Sequence, residues 1–184
     1  MTNHRLFYFV GPSGAGKDTL INRLRQTPHF SSEIYFVKRL VDRPAHESTL
    51  LDEYLSSSDF AKALDHQELA MHWVANQHQY GIRVSELDHA LRYPMSVING
   101  SRAYAFELKS KYPYAEIIHI TASESSIKGR LQIRQRENNV EIEKRIKRTH
   151  ELSGYRDQYS VEILNDDSID TAFEQLIQFI ESKR

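Results

Sequence analysis

Cysteine is absent from the 184 residues. That removes disulfides and thiolate metal sites, and it fits a reducing compartment. Net charge is nearly absent too, with 24 Lys and Arg against 25 Asp and Glu. No global field therefore draws the chain to nucleic acid or an anionic membrane, so any anion must be held by a local cluster of cations. Long apolar runs are missing, and the opening Met1-Thr2-Asn3-His4-Arg5 leads into a run too short for a signal peptide or a membrane span. Internal repeats, low-complexity tracts and flexible linkers are also lacking. These absences leave the expectation of a soluble cytoplasmic protein with no nucleic-acid or membrane partner. With 40% hydrophobic residues, the length suits a single domain over 1–184 with small insertions.

The chain is organised around Gly11-Pro12-Ser13-Gly14-Ala15-Gly16-Lys17-Asp18, directly after the apolar run Leu6-Phe7-Tyr8-Phe9-Val10. The spacing matches G-x-x-x-x-G-K and departs from the usual Ser or Thr with Asp18. It is an anion cradle: glycines let successive backbone N–H groups turn inward, the next helix offers its positive end, and Lys17 reaches terminal phosphates. A triphosphate is the natural guest, and Leu20, Ile21 and Leu24 continue at helical spacing.

Further strands are expected at Ile34–Val37, Met95–Asn99, Ala115–Ile120 and Val161–Leu164, and a closing helix carries Ile169, Phe173, Leu176, Ile177 and Ile180 on one stripe. Strands alternating with helices predict an α/β fold with a doubly wound, five-stranded parallel sheet. Two irregular stretches interrupt it. About 38–92 reads as a small acceptor-binding insertion, with a basic loop Lys38–Pro44, an acidic patch near Asp52-Glu53, a short helix near 59–64 and a strand-like Leu69–Val74. About 134–148 reads as an arginine-rich lid, with Asn138 and Glu141 resembling a capping box.

Three basic groups stand out: Lys17, the pair Arg39 and Arg43, and the cluster Arg130, Arg134, Arg136, Arg145 and Arg148. Phosphoryl transfer asks a protein to align two oxygens and to neutralise the moving group with a metal ion and guanidinium forks. Mg²⁺ is expected beside Asp18. The strand that often supplies a metal-side acid ends in Asn99, and 94–102 contains no carboxylate. Asp18 is thus expected to replace an acid moved from strand to loop. The nine histidines show no ligand spacing. His72, beside Trp73, is the one singled out for the acceptor region, with a packed core role as its alternative.

The phosphate loop, the Arg43 loop, Tyr80-Gly81, the arginine lid and Asn165-Asp166-Asp167 together resemble the guanylate kinase family, in order along nearly the whole chain. Gly11–Asp18, Tyr80-Gly81, Asn99-Gly100-Ser101-Arg102-Ala103 and Arg134–Asn138 are similar to the ribose 1,5-bisphosphate phosphokinases within it. The resemblance implies a P-loop kinase that uses ATP and Mg²⁺ on a small phosphorylated sugar, giving 5-phosphoribosyl 1-diphosphate. It implies ATP phosphates at Gly11, Pro12, Ser13, Gly14, Ala15, Gly16, Lys17 and Asp18, and adenine beside Asn165, Asp166 and Asp167. It places Arg39, Arg43 and Tyr80 on the acceptor's phosphate, Arg134 and Arg145 on the transferring group, and the family's guanine-reading acid near His72, where this chain has none. Arg102 is the candidate for a second phosphate. A nucleoside monophosphate kinase and a non-catalytic scaffold are the alternatives, and a homodimer stays open.

Overall fold

The structure is a computed structural model that describes residues 4–43, 49–134, 139–151 and 157–184, without the side chains of 134, 139 and 149–151. Strand β1, Arg5–Val10, sits at the centre of a five-stranded sheet and is buried on both faces. Its side chains alternate: Leu6, Tyr8 and Val10 enter one core, and Phe7 and Phe9 enter the other. From Leu6 to Val10 the strand is apolar at every position, as a parallel sheet covered on both sides demands.

Helix α1, Lys17–Gln26, stops before Pro28 as expected, and a short helix α2, Pro28–Ser31, follows it. Next come β2, Ile34–Phe36; β3, Arg39–Val41; β4, Asp52–Tyr54; helix α3, Ser57–Asp65; β5, Leu69–Ala75; β6, His78–Arg83; and helix α4, Val84–Ala90. The chain returns to the main sheet at β7, Met95–Asn99, passes a 3-10 turn at Arg102–Tyr104 into α5, Ala105–Lys111, and forms β8, Glu116–Thr121. Helices α6, Glu124–Arg134, and α7, Asn139–Glu151, precede β9, Val161–Leu164, and α8, Ile169–Glu181.

The main sheet runs β2-β7-β1-β8-β9 and is parallel throughout. Helices α1 and α8 cover one face through Leu20, Leu24, Leu176 and Ile180, while α4 and α5 supply Leu87, Ala90, Ala105 and Leu108 to the other. The chain leaves β1 for one side of the sheet and later returns to the other side. Such a reversal opens a crevice at the carboxyl ends of the strands, which is where ligands sit in open α/β sheets.

The insertion is more regular than its sequence suggests. Its strands form a second sheet ordered β4-β3-β6-β5, and the expected basic loop contains β3. Asn76 and Gln77 close the β5–β6 hairpin with φ of 51° and 66°, the left-handed pair that matches strand twist. Helices α6 and α7 share a small core of their own, Ile127, Leu131, Ile142 and Ile146. Ser123 caps α6 as expected, its Oγ accepting from the Ser126 N–H. The residues 135–138, and with them Arg136 and the Asn138 half of the capping box, lie outside the described residues, as does Pro44.

Candidate active site

The register of β1 brings the site together. Phe9 is level with Asn99 on one side and Val10 with His119 on the other, so both neighbouring strands end beside the phosphate loop. Gly11 and Gly16 hold positive φ of 146° and 94°. A methyl group on Gly11 would sit 2.0 Å from the Ile120 carbonyl oxygen, and one on Gly16 would sit 2.3 Å from Asn165 Nδ2. Only glycine fits either place. Pro12 and Ala15 are buried in the loop's own packing, whereas Gly11, Ser13, Gly14, Gly16, Lys17 and Asp18 line the main cleft. Lys17 Nζ folds back to donate to the carbonyls of Gly11 (2.9 Å) and Pro12 (3.2 Å).

The cleft, about 190 Å³, runs from this loop to the second sheet, where Arg39, Arg43, Thr49, Trp73, His78 and Tyr80 line it. Asp52 organises the acceptor end. Its carboxylate is fully buried and accepts from Arg39 Nε and NH2 at 2.8 Å on one oxygen. Arg43 NH2 and the Thr49 N–H donate to the other oxygen, each at 2.9 Å. One acid thus sets the orientation of two guanidinium groups whose remaining N–H donors point elsewhere. Arg39 also donates to the Asn99 carbonyl at 3.1 Å and lies 4.9 Å from the centre of the Tyr80 ring. In the sequence Asp52 stands out only as part of an acidic patch, and no local signal pairs it with residues a strand away.

Arg102, expected to serve a second phosphate, lines the cleft and is almost fully buried. Burial pulls its guanidinium below the usual arginine value; Tyr159 opposes that shift and Arg148 adds to it. Ser101, just before it, is fixed by Tyr8, whose hydroxyl accepts from the Ser101 N–H at 2.9 Å. Burial also raises the Tyr8 phenol above its ordinary value. His78 lines the same cleft with Nδ1 3.3 Å from the Asp42 carboxylate, a pairing that no spacing rule reveals.

From α7, Arg145 donates to Ser13 Oγ at 2.6 Å and Arg148 to the Val74 carbonyl at 3.3 Å, so this helix touches both the phosphate loop and the hairpin. Both arginines line the cleft. The Arg134 side chain lies outside the described residues. Arg130 is spent on structure, with NH2 donating to the Asn165 carbonyl at 2.7 Å.

Three expected positions line neither cavity. His72 does not line the cleft: on β5 it is level with Gly81, its ring lies 5.6 Å from Phe60 of α3, and it faces away from Trp73 and Tyr80. Asp166 and Asp167 do not line the second, shallower cavity beside the phosphate loop, which is formed by Gly14, Gly16, Thr19, Arg130, Ile133, Asn165 and Ile169. Asp166 instead accepts from the Ser123 N–H at 2.7 Å, a bond that lowers its carboxyl below the usual range. Asn165 lines that second cavity and braces the loop by donating to the Ala15 carbonyl at 2.8 Å.

Known proteins share the sequence pattern and the fold. The sequence matches guanylate kinase over residues 3–183. It is 32% identical over 178 residues to the ribose 1,5-bisphosphate phosphokinase PhnN of Yersinia pestis, covering 96% of this chain and 91% of that protein. A protein of the same name from Janthinobacterium sp. (strain Marseille) is 33% identical over 177 residues, and this chain spans 39% of its length. Among solved structures, guanylate kinase from Anaplasma phagocytophilum superposes with a TM-score of 0.76 at 14% identity, over 100% of this chain and 87% of that one. Among the described residues, no helix is long and apolar enough to cross a membrane. By sequence, by fold and by the phosphate loop at the centre of both, the chain belongs to the guanylate kinase family.

Proposed function

We propose that the chain is an ATP-dependent ribose 1,5-bisphosphate phosphokinase, moving the γ-phosphoryl group of ATP onto the sugar's 1-phosphate to give 5-phosphoribosyl 1-diphosphate. One observation carries the reading beyond kinship. Among the described residues, the cleft is lined by Lys17, Arg39, Arg43, Arg102, Arg145 and Arg148, against a single carboxylate, Asp18, at its nucleotide end. A cleft so cationic suits an acceptor with two phosphates and no base.

The loop fits a nucleotide's phosphates, because its glycines leave room for backbone alone and Lys17 has a short swing from carbonyls to phosphate. Asn165 and Ile133, in the shallower cavity, suit the adenine. Asp18 fits Mg²⁺: its carboxylate faces the cleft, and beside it the buried Asn99 Oδ1 has no hydrogen-bond partner among the described residues. A magnesium ion bound there would offset charge on the transferring group.

In the transfer, the bond from the γ-phosphorus to its bridging oxygen breaks as a new one forms to an oxygen of the acceptor phosphate. That oxygen is already anionic, so no general base is needed. Arg39 and Arg43, held by Asp52, fix the acceptor; Arg145, beside Ser13, steadies the moving charge. The test is ADP release with ribose 1,5-bisphosphate and GMP side by side. Preference for the sugar supports the reading, and preference for GMP replaces it with a nucleoside monophosphate kinase.

A further inference from the structure

A nucleobase needs a flat slot between two faces and an acceptor for its N–H edge. In the acceptor half of this cleft the flat faces are already occupied by one another. Trp73 lies nearly parallel to Tyr80, ring centres 5.8 Å apart and planes 6° apart. Tyr80 in turn carries the Arg39 guanidinium 4.9 Å from its centre, and Tyr104 flanks Trp73 at 6.0 Å with a 38° tilt. Trp73 is 6% exposed, so the indole is wedged in place yet still forms part of the wall.

An indole and a purine are fused bicyclic rings of nearly the same size. In the acceptor half of the cleft, the Trp73 indole and the Tyr80 ring with Arg39 over it take the flat surfaces between which a base would have to slide. No carboxylate lines this half of the cleft among the described residues.

We propose that Trp73 is a specificity-determining residue that fills the room a nucleobase would take, so that only a base-free, doubly phosphorylated sugar reaches Arg39, Arg43 and Arg102. The proposal rests on the acceptor reading above and adds the residue that enforces it. Trp73 sits opposite Tyr80 in the β5–β6 ladder, so two strands fix its direction and the tilted Tyr104 limits its rotation.

The test is inhibition of sugar phosphorylation by GMP and AMP in the wild type, Trp73→Ala and Trp73→Leu. The Ala variant empties the site, and Leu keeps an apolar filler should Ala fold poorly; ATP-dependent thermal stabilisation checks each fold. The expected result is an inhibition constant for the purine nucleotides at least tenfold lower in Trp73→Ala, intermediate in Trp73→Leu, and restored by adding free indole to the Ala variant. Unchanged constants in the folded variants would overturn the proposal while leaving the sugar reading intact. A wild type that itself prefers GMP to the sugar would overturn both.

Discussion

Asn99 and Asp18 are joined side chain to side chain, Nδ2 donating to Oδ1 at 2.5 Å, so the end of β7 is tied to the first turn of α1 across 81 residues. The bond holds the Asp18 carboxylate at the mouth of the phosphate loop, where related motifs carry a hydroxyl. If that carboxylate is the metal ligand, Asp18→Ser raises the Mg²⁺ concentration for half-maximal rate by roughly tenfold or more, the usual scale for a lost ligand contact. ATP concentration is held saturating, and Mg²⁺ is titrated. Equal half-saturation in variant and wild type would remove Asp18 from the metal.

Asn99→Asp probes the same pair from the other side. It sets two carboxylates at hydrogen-bond distance, where like charges cannot both stay ionised without cost. The expected outcome is a lower Tm without metal and recovery of most of the loss when Mg²⁺ is added. A variant whose Tm ignores Mg²⁺ would show that no cation lies between the two.

Asp52 orients the acceptor arginines, so its loss should be felt in acceptor binding rather than in nucleotide binding. Removing one partner of a buried ion pair costs about 3–5 kcal/mol; Asp52→Asn, which keeps the shape, is the gentler probe. Its KM for ribose 1,5-bisphosphate is expected to rise roughly tenfold, with the KM for ATP within about twofold of wild type. Parallel losses in both constants would mean that Asp52 holds up the fold and not the acceptor site.

How much of this was legible in sequence follows the range of each interaction. The phosphate loop, the five parallel strands and the stripe on α8 are local or periodic, and all appear where their residues point. His72 was misplaced for a definable reason. It was singled out as the neighbour of Trp73, but consecutive residues of a strand point to opposite faces of the sheet, so only one of the two can line the cleft. Trp73 faces the cleft and His72 does not. Asp52 with Arg39 and Arg43, His78 with Asp42, and Asp18 with Asn99 join residues 13, 9, 36 and 81 positions apart through the packing of separate strands, loops and helix α1. No single-sequence pattern encodes such pairs, although the residue types themselves were in view.

Trp73 is the sole tryptophan, so the protein carries its own reporter of acceptor binding. Sugar bisphosphate is expected to change the emission of the wild type in a saturable way, with a midpoint that shifts in Asp52→Asn. A non-hydrolysable ATP analogue alone should change it little, because the phosphate loop and the indole occupy opposite ends of the cleft. Equal responses to both ligands would mean that the signal follows a global closure and not contact at the acceptor end.

His119 gives the fold its expected acid sensitivity. It is almost fully buried at the end of β8, with Nδ1 2.7 Å from Glu162 Oε2 and its ring stacked 4.3 Å from that of Tyr159. Its Nε2 has no hydrogen-bond partner among the described residues. Burial is the main cause that lowers its pKa below the ordinary 6.5; Glu162 pulls upward, while Arg102 and Lys17 push down. The unfolded chain therefore takes up this proton at a higher pH than the folded one. Stability is full above the ordinary imidazole value and falls as the pH drops from there towards the folded pKa. Replacing His119 by Gln removes the titration, so the variant should lose less Tm than the wild type between pH 8 and about pH 5.5, at roughly 2–4 °C for each kcal/mol. Tm measured across that range checks it. Parallel profiles would assign the acid response to the protein's other histidines and carboxylates, because a buried imidazole that resists protonation must steepen the wild-type curve alone.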